Sequence, residues 1–583
     1  MSAIAASRLI AAWVNEGTSD EENYDIVDEV LSEIEDAVEC NDSTGNSDDD
    51  ELEPGEGNEP DDDTASDFYM SKSGNIKWYK APVQANKRRK PFNVVTEQSG
   101  PRLPAEVSNL IDVFKLFIDN NMFDIITKRT NEEGLRVATQ KHAEDAWKDF
   151  TPCEVQAYIG LLILAGVLKG NHEPLAQMWS DVWGRPIFRA VANEKRFAQF
   201  LRLLRFDDRA TREQRRSTDK LAAIRELTDM FAVNLRQYYV MSPFVTIDEM
   251  LSKFRGKCPF RIFMKSKPGR YGLKIWAMAS QSGYCGNIQV YLGKQTVAPA
   301  KEQGQRVVKD LAQHILGAGR NITVDNFFTD LKLAEELLAY KTTVVGTMRK
   351  SKTDILMSVM PDRKREEKSS IFGFTDSATI VSFVPKKGKS VVLLSTMHSD
   401  NKVCDDDGKK PDIVLFYNST KGGVDTLDQM CAQYSTKRKT LRWPLTLFFT
   451  FLDIAAVNTT VIWSELHPPS DSQPSSRRLD HRRHLLIELG HSLTESWMHE
   501  RMTKQQVMCH SKVKDAMKRV GASDADATFA RPAKNRRRGR CYICPRKREQ
   551  KVEVSCSKCH NFVCGSHSQK TALCFECSST DDL

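Results

Sequence analysis

Between Phe244 and Met348 the hydrophobic pattern switches period in a fixed order, and that order restricts the fold more than any other feature of the 583-residue chain. Phe244-Val-Thr-Ile-Asp-Glu-Met-Leu alternates and is rich in β-branched residues, and Gly272 to Ser280 and Gly286 to Leu292 read as two further strands joined by glycine-bearing turns. Arg306 to Leu316 has helical spacing, Asn321 to Phe327 is β-rich, Asp330 to Tyr340 is helical again and Thr342 to Met348 returns to β. The order βββ-α-β-α-β predicts a mixed sheet flanked by helices.

That is the element order of an RNase H-like core, with about 100 of the 583 residues in it, so the remainder must form other units. From Arg102 to about Tyr239 apolar residues recur at three and four spacing, as in Leu110, Val113, Phe114 and Phe117, which predicts amphipathic helices with Trp147, Trp179 and Trp183 in the core. Ser351 to Pro411 is polar with short β-runs at Thr379 to Val384 and Val391 to Leu394, an insertion before a helix at Val424 to Tyr434. Pro444 to about Val513 is helical, and composition suggests that it completes the first helical region. The apolar run Ala157 to Leu168 is short of the ~20 residues that cross a bilayer and reads as a buried helix. Met1 to Val14 lacks the pattern of a secretory signal, so a reducing compartment is expected.

Charge is divided unevenly. Residues 1–71 hold 23 acidic residues against Arg8 alone, a charge of −22, so the whole-chain +6 leaves +28 on residues 72–583. A body this basic points to a polyanion, with nucleic acid as the leading partner. The acidic stretch, with Gly, Ser, Asn and Pro and then Lys87-Arg88-Arg89-Lys90, reads as disorder over residues 1–96. Ser19, Ser32 and Ser47 there fit acid-directed phosphorylation.

Three carboxylates stand where a two-metal site needs them: Asp248 in the first strand, Asp325 at the end of the fourth, and Asp425 opening the helix after the insertion. Asp428, at i+3, shares a helix face with Asp425. Magnesium takes hard oxygen ligands, and two such ions ~3.5 to 4 Å apart support in-line displacement at phosphorus. This requires the four carboxylates to gather within a few ångströms; Glu249, by strand alternation, faces away. Around them Lys253 to Lys274 carries eight cations and no acid, including Arg255, Arg261 and Lys265, interleaved with aromatics. Lys437, Arg438, Lys439, Arg442 and Trp443 form a second basic, aromatic cluster. Both are expected to follow a phosphate backbone.

Of 14 cysteines, seven fall between Cys541 and Cys577, as Cys541-x2-Cys544, Cys556-x2-Cys559, Cys564-x2-His567 and Cys574-x2-Cys577. Eight ligands make two tetrahedral sites, and thiolate and imidazole suit two structural Zn²⁺. Alternating pairs give a cross-brace, with Cys541, Cys544, Cys564 and His567 in one site and Cys556, Cys559, Cys574 and Cys577 in the other; sequential pairing is the alternative. Upstream, Lys534 to Arg540 has five basic residues in seven, consistent with nuclear import or DNA contact.

The strings Thr246-Ile-Asp-Glu-Met, Phe254-Arg-Gly-Lys-Cys-Pro-Phe-Arg, Lys267-Pro-Gly-Arg-Tyr-Gly-Leu-Lys, Val324-Asp-Asn-Phe-Phe-Thr, Lys421-Gly-Gly-Val-Asp-Thr-Leu-Asp-Gln-Met and Arg442-Trp-Pro closely resemble the piggyBac transposases, in order from about residue 100 to the end. The resemblance implies a multidomain α/β plus all-α protein. Its parts would be a disordered N-terminal region (1–96), a split helical dimerisation and DNA-binding domain (97–240 and 436–520), and an RNase H-like catalytic domain (241–350 and 412–435). A β-rich insertion domain (351–411), a basic linker (521–540) and a cross-brace zinc domain (541–577) complete it. It also implies a nuclear, homodimeric enzyme acting on double-stranded DNA with Mg²⁺, for which Mn²⁺ substitutes. Such an enzyme nicks transposon ends, forms hairpins and inserts at TTAA. Asp248, Asp325 and Asp425 would be catalytic, with Asp428 an additional metal ligand, and Asn326, Arg349, Lys352 and Trp443 would lie near DNA. Two other readings compete: a domesticated DNA- or chromatin-binding protein without transposition, and, from ligand spacing alone, a RING-like or histone-tail-reading module.

Overall fold

The computed structural model describes residues 67–82, 94–265, 267, 269–293, 302–356, 365–405, 408–468, 475–522, 539–545, 551–554, 556 and 561–568. They fall into two compact units divided after Ala522. The acidic residues 1–66, Lys87 to Lys90, most of the linker, and Cys559, Cys574 and Cys577 lie outside the described residues.

The first unit is built on a mixed sheet. Strands β1 (Phe244–Lys253), β2 (Tyr271–Ser280), β3 (Cys285–Val290), β4 (Asn321–Val324) and β5 (Thr343–Thr347) lie in the order β3-β2-β1-β4-β5. The first three form the expected antiparallel meander, while β4 runs parallel to both β1 and β5. Helix α1 (Gln303–Ala312) connects β3 to β4 and packs on β2 and β3. Helix α2 (Leu331–Ala339), capped by Asp330, connects β4 to β5. Two parallel strands need such crossovers, whereas the meander needs only tight turns. Helices α3 (Asp412–Thr420) and α4 (Gly423–Gln433) follow the insertion, and α4 packs across β1 and β2.

One expectation is extended and one is corrected. Strands β6 (Ser370–Phe374), β7 (Thr379–Lys386) and β8 (Lys389–Ser395) of the insertion extend the same sheet, because β8 pairs antiparallel with β5. Residues 67–82, read as disordered, form a hairpin of strands Phe68–Met70 and Lys77–Tyr79 beside β6. Their anchor is Trp78, fully buried, whose indole N–H donates to the Asp354 carbonyl (2.9 Å). A single tryptophan thus ties down chain whose composition is otherwise polar.

The helical part draws on both flanks of the sheet. Pro152–Val167, capped by Thr151, packs along Ser475–Thr503. The two cross at glycines: a Cβ on Gly160 would stand 2.9 Å from the Gly490 carbonyl oxygen. Helix Trp443–Leu466, 24 residues, is long and apolar enough to cross a membrane by length and composition, yet its apolar window is wholly buried within the protein. Its polar residues act inside the core: the Asn458 carboxamide accepts from Cys285 N–H (2.8 Å) and donates to the Cys285 carbonyl (2.9 Å), clamping the start of β3.

Candidate active site and metal centre

Asp248 and Asp325 come together through strand register. Ile247 pairs with Val324 across the parallel β1–β4 ladder, so the aspartates that follow stand side by side on strands ~4.8 Å apart. Two residues upstream of each, on the same face, sits a threonine. The Thr246 hydroxyl donates to the Thr420 carbonyl (2.7 Å) and the Thr323 hydroxyl donates to the Thr420 hydroxyl (2.8 Å). Gly423 N–H donates back to the Thr246 hydroxyl (3.2 Å). The α3–α4 junction is therefore bolted to the face that carries both aspartates, and Asp425 and Asp428 follow within two turns. Gly423 is required by this approach, since a Cβ there would lie 2.7 Å from the Thr246 hydroxyl and 2.9 Å from the Ser280 carbonyl.

The electrostatics agree with this placement. Burial, then the charge of Asp325, pushes the Asp248 carboxyl up to about 7. Burial and the charge of Glu249 raise Asp325, against hydrogen bonds from the Phe327 and Phe328 amides. Burial, together with Asp425, raises Asp428, opposed by Lys267, Lys253 and Lys437. Burial lifts the Tyr417 phenol to about 12, and Asp325, Asp248 and Asp425 all add to that. Lys267 stands 3.6 Å from Asp425 and also acts on Asp248 and Asp428. Among the described residues no other cation makes an ion pair with the four.

The expected gathering of the four carboxylates is seen as a shared neighbourhood: Asp325 raises Asp248, and Asp425 raises Asp428. The four aspartates share one end of the sheet, but among the described residues the His, Cys, Asp and Glu group whose ligand atoms all lie within 4.8 Å is Cys541, Cys544, Cys564 and His567. The donor set fits a hard divalent cation: carboxylate oxygens from two adjacent strands and one helix, with burial raising Asp248, Asp325 and Asp428. Glu249, assigned to the opposite face, forms an ion pair with Lys274 and still reaches Asp325 electrostatically, because β4 ends at Val324 and Asp325 lies at the open edge.

The basic residues divide into two kinds. Arg255, Lys265 and Asn326 are exposed. Arg261 instead donates to the Arg255 and Gly256 carbonyls (3.0 and 2.9 Å), and Arg349 lies over the Phe327 ring. Lys352 pairs with the helix-capping Asp330 (2.7 Å). Lys437 is turned inward to the Ser252 hydroxyl (2.8 Å), with its ammonium pushed down to about 8 by burial. Arg438 donates to the Gly170 and Glu173 carbonyls, and Arg442 to those of Leu201, Arg202 and Leu204, closing the end of the helix Glu194–Leu203. Trp443 packs edge-on against Phe260 (5.0 Å between centroids). Sequence reasoning missed Thr246, Thr323, Thr420 and Tyr417; a threonine two places before each strand aspartate was the available signal.

In the second unit Cys541, Cys544, Cys564 and His567 form one cluster. Sγ of Cys544 is 3.7 Å from Sγ of Cys564, and His567 Nδ1 is 3.7, 3.5 and 3.3 Å from the sulfurs of Cys541, Cys544 and Cys564. Tetrahedral bonds of about 2.3 Å to sulfur and 2.0 Å to nitrogen give edges of about 3.8 and 3.5 Å, so the set fits a four-coordinate metal ion. The first and third ligand pairs are joined, the alternating arrangement. Cys556 is described but does not belong to this cluster.

Fold and site together define a transposase: a family model described as Transposase IS4 matches residues 111–460. The chain belongs to that family, in its piggyBac type. It is similar to the PiggyBac transposable element-derived protein 2 of Homo sapiens, at 24% identity over 366 residues, covering 60% of each chain. It is also similar to PiggyBac transposable element-derived protein 3 of Homo sapiens, at 22% over 450 residues, 68% of this chain and 73% of the relative. Among solved structures, a cryo-EM structure of a piggyBac transposase synaptic complex with hairpin DNA matches with TM-score 0.70 and 32% identity, over 82% of this chain and all of that one.

Proposed function

We propose that the protein is a cut-and-paste DNA transposase whose β3-β2-β1-β4-β5 sheet is an RNase H-like catalytic core. The observation that carries this is register: Asp248, midway along β1, and Asp325, directly after β4, follow the last pair of the parallel β1–β4 ladder on the face to which the Asp425–Asp428 helix is bolted. Two Mg²⁺ ions held by Asp248, Asp325, Asp425 and Asp428, with Mn²⁺ as substitute, would activate the attacking oxygen and stabilise the leaving one at phosphorus. The chain's own residues set the geometry for this. Thr420 and Gly423 fix the carboxylate helix, and Lys267 releases Asp425 as the site charges. Arg255 and Lys265 present exposed cations for phosphates, and Asn326 is exposed beside Asp325. Arg261, Arg349, Lys352, Lys437, Arg438, Arg442 and Trp443 act one step back, shaping the surface on which DNA lies.

The reaction is nicking of terminal inverted repeats, hairpin formation and resolution, and strand transfer into TTAA, carried out in the nucleus by a homodimer. The terminal unit would hold two structural Zn²⁺, one on Cys541, Cys544, Cys564 and His567 and one on Cys556 with Cys559, Cys574 and Cys577, which lie outside the described residues. A host-adapted DNA-binding protein without transposition is the second reading, favoured by Lys267 resting on Asp425. A labelled transposon-end duplex with Mg²⁺ or Mn²⁺ decides between them. Metal-dependent nicking is expected from the wild type and none from Asp325→Ala; tight binding without any nicking in either supports the second reading.

A further inference from the structure

The three tryptophans expected in the helical core do different things. Trp179 is buried and its indole N–H donates to the Ala192 carbonyl (2.9 Å). Trp147 is half-buried and fills the space over Gly134, where a Cβ would stand 2.0 Å from its ring. Trp183 is 75% exposed and its neighbour Val182 78% exposed.

This exposed pair is held on a rigid turn. The Ser180 hydroxyl accepts from Val182 N–H (3.2 Å) and Trp183 N–H (3.3 Å), and Gly184 N–H donates to the Ser180 carbonyl (3.0 Å). A Cβ at Gly184 would lie 2.3 Å from that carbonyl, so the turn is closed as tightly as backbone allows. Asp181 is fastened on both sides, to Arg189 and to Lys512. Lys512 belongs to helix Ser511–Arg519, which packs on helix Pro186–Val191 beside the turn. Residues 181–191 and 511–519 together carry six cations, Arg185, Arg189, Lys512, Lys514, Lys518 and Arg519, against Asp181 and Asp515; Arg185 pairs with Glu173, and Arg189 and Lys512 share Asp181.

We infer that the Val182–Trp183 tip is a DNA contact, in which the indole stacks on a nucleobase while the cations beside it engage the flanking phosphates. An aromatic ring presented among lysines and arginines matches both parts of a nucleotide. A second copy of the chain fits poorly: a two-fold interface would bring this cationic patch against itself, and lysine is depleted from protein interfaces. The inference rests on the DNA reading above and names a point of contact distant in sequence from the carboxylates.

The test compares full-length wild type, Trp183→Ala and Trp183→Phe for binding to a labelled terminal-repeat duplex and to the same duplex carrying one unpaired base. Trp183→Ala is expected to weaken binding roughly tenfold, the loss of one base–aromatic stack, and Trp183→Phe to restore most of it. A loss confined to the unpaired-base duplex identifies a flipped or looped base as the partner; an equal loss on both identifies insertion between pairs. Unchanged affinity in Trp183→Ala overturns the inference. So does a drop in sedimentation coefficient at unchanged DNA affinity, which makes the tip a self-interface. If Trp183→Ala is silent while Asp325→Ala abolishes nicking, this inference alone fails; if the wild type binds no DNA, the functional reading fails with it.

Discussion

Glu133 and Asp248 are both carboxylates set into the same compact unit, and the protein treats them oppositely. Glu133, on the helix Asn120–Gln140, is surrounded by arginine: Arg136 donates twice at 2.8 Å, Arg205 at 3.1 Å and Arg209 at 3.0 Å. Burial alone would raise its pKa, but the Arg136 hydrogen bond and the charges of Arg205, Arg209 and Arg136 outweigh it and hold Glu133 at about 2. Asp248 has Asp325 for a neighbour and rises to about 7. The first carboxylate is neutralised from within the chain; the second waits for a cation from outside. A buried charge left unmatched costs stability, so its persistence beside Asp325 marks function and not packing.

The Cys/His cluster is the extreme of that contrast, since its ligands already stand at coordinating separations. Removing one should therefore have the largest effect. Cys564→Ser is expected to eliminate one bound metal per chain, counted by elemental analysis. It should also unfold the terminal unit, for which structural zinc supplies about 10 kcal/mol or more of apparent binding energy. Unchanged metal content would mean that Cys541, Cys544, Cys564 and His567 are not the site.

Isosteric amides sharpen the Glu133–Asp248 comparison directly. Glu133→Gln removes the buried carboxylate charge that faces Arg205, itself 2% exposed, and should cost about 3–5 kcal/mol in denaturant unfolding. Asp248→Asn removes a repulsion and, in metal-free protein at pH 8, should leave stability unchanged or raise it by about 1 kcal/mol. The pH dependences have opposite signs. Glu133 has a depressed folded pKa, so its contribution is complete above about 4.5 and is lost as pH falls toward 2. Asp248 has a raised one, so its contribution is present below about 3.8 and is lost as pH rises through 7. Equal loss in both variants would show that Asp248 is compensated after all.

What could be read from the chain follows the range of the interactions. The strand and helix order, the carboxylates and the Cys/His pairs are signalled by local period and spacing, and the described elements fall within a few residues of those expectations. The Glu133 network was not legible, because Arg205 and Arg209 are more than seventy residues away and only Arg136 lies on the same helix face. Nor was the Thr246–Thr420–Gly423 bolt, which joins segments over 170 residues apart. Trp78 was lost in a polar stretch, and Trp183 was assigned to the core because composition does not distinguish a tryptophan that anchors a turn from one that crowns it. The insertion looked separate because its polar loops hide the pairing of β8 with β5.

The smallest effects separate the two basic stretches, which read alike in sequence. Arg255 and Lys265 are exposed, whereas Arg438 and Arg442 are committed to backbone carbonyls. Each phosphate contact removed lowers the slope of log affinity against log salt by about 1. Arg255→Ala and Lys265→Ala should each do so, with melting temperature unchanged. Arg438→Ala and Arg442→Ala should leave the slope alone and lower stability by about 1–3 kcal/mol, since each strands buried carbonyl acceptors. A changed salt slope in Arg442→Ala would mean that its guanidinium leaves the Leu201 and Arg202 carbonyls for phosphate when DNA binds. The second cluster would then be a surface that DNA assembles, where the first is one the fold already presents.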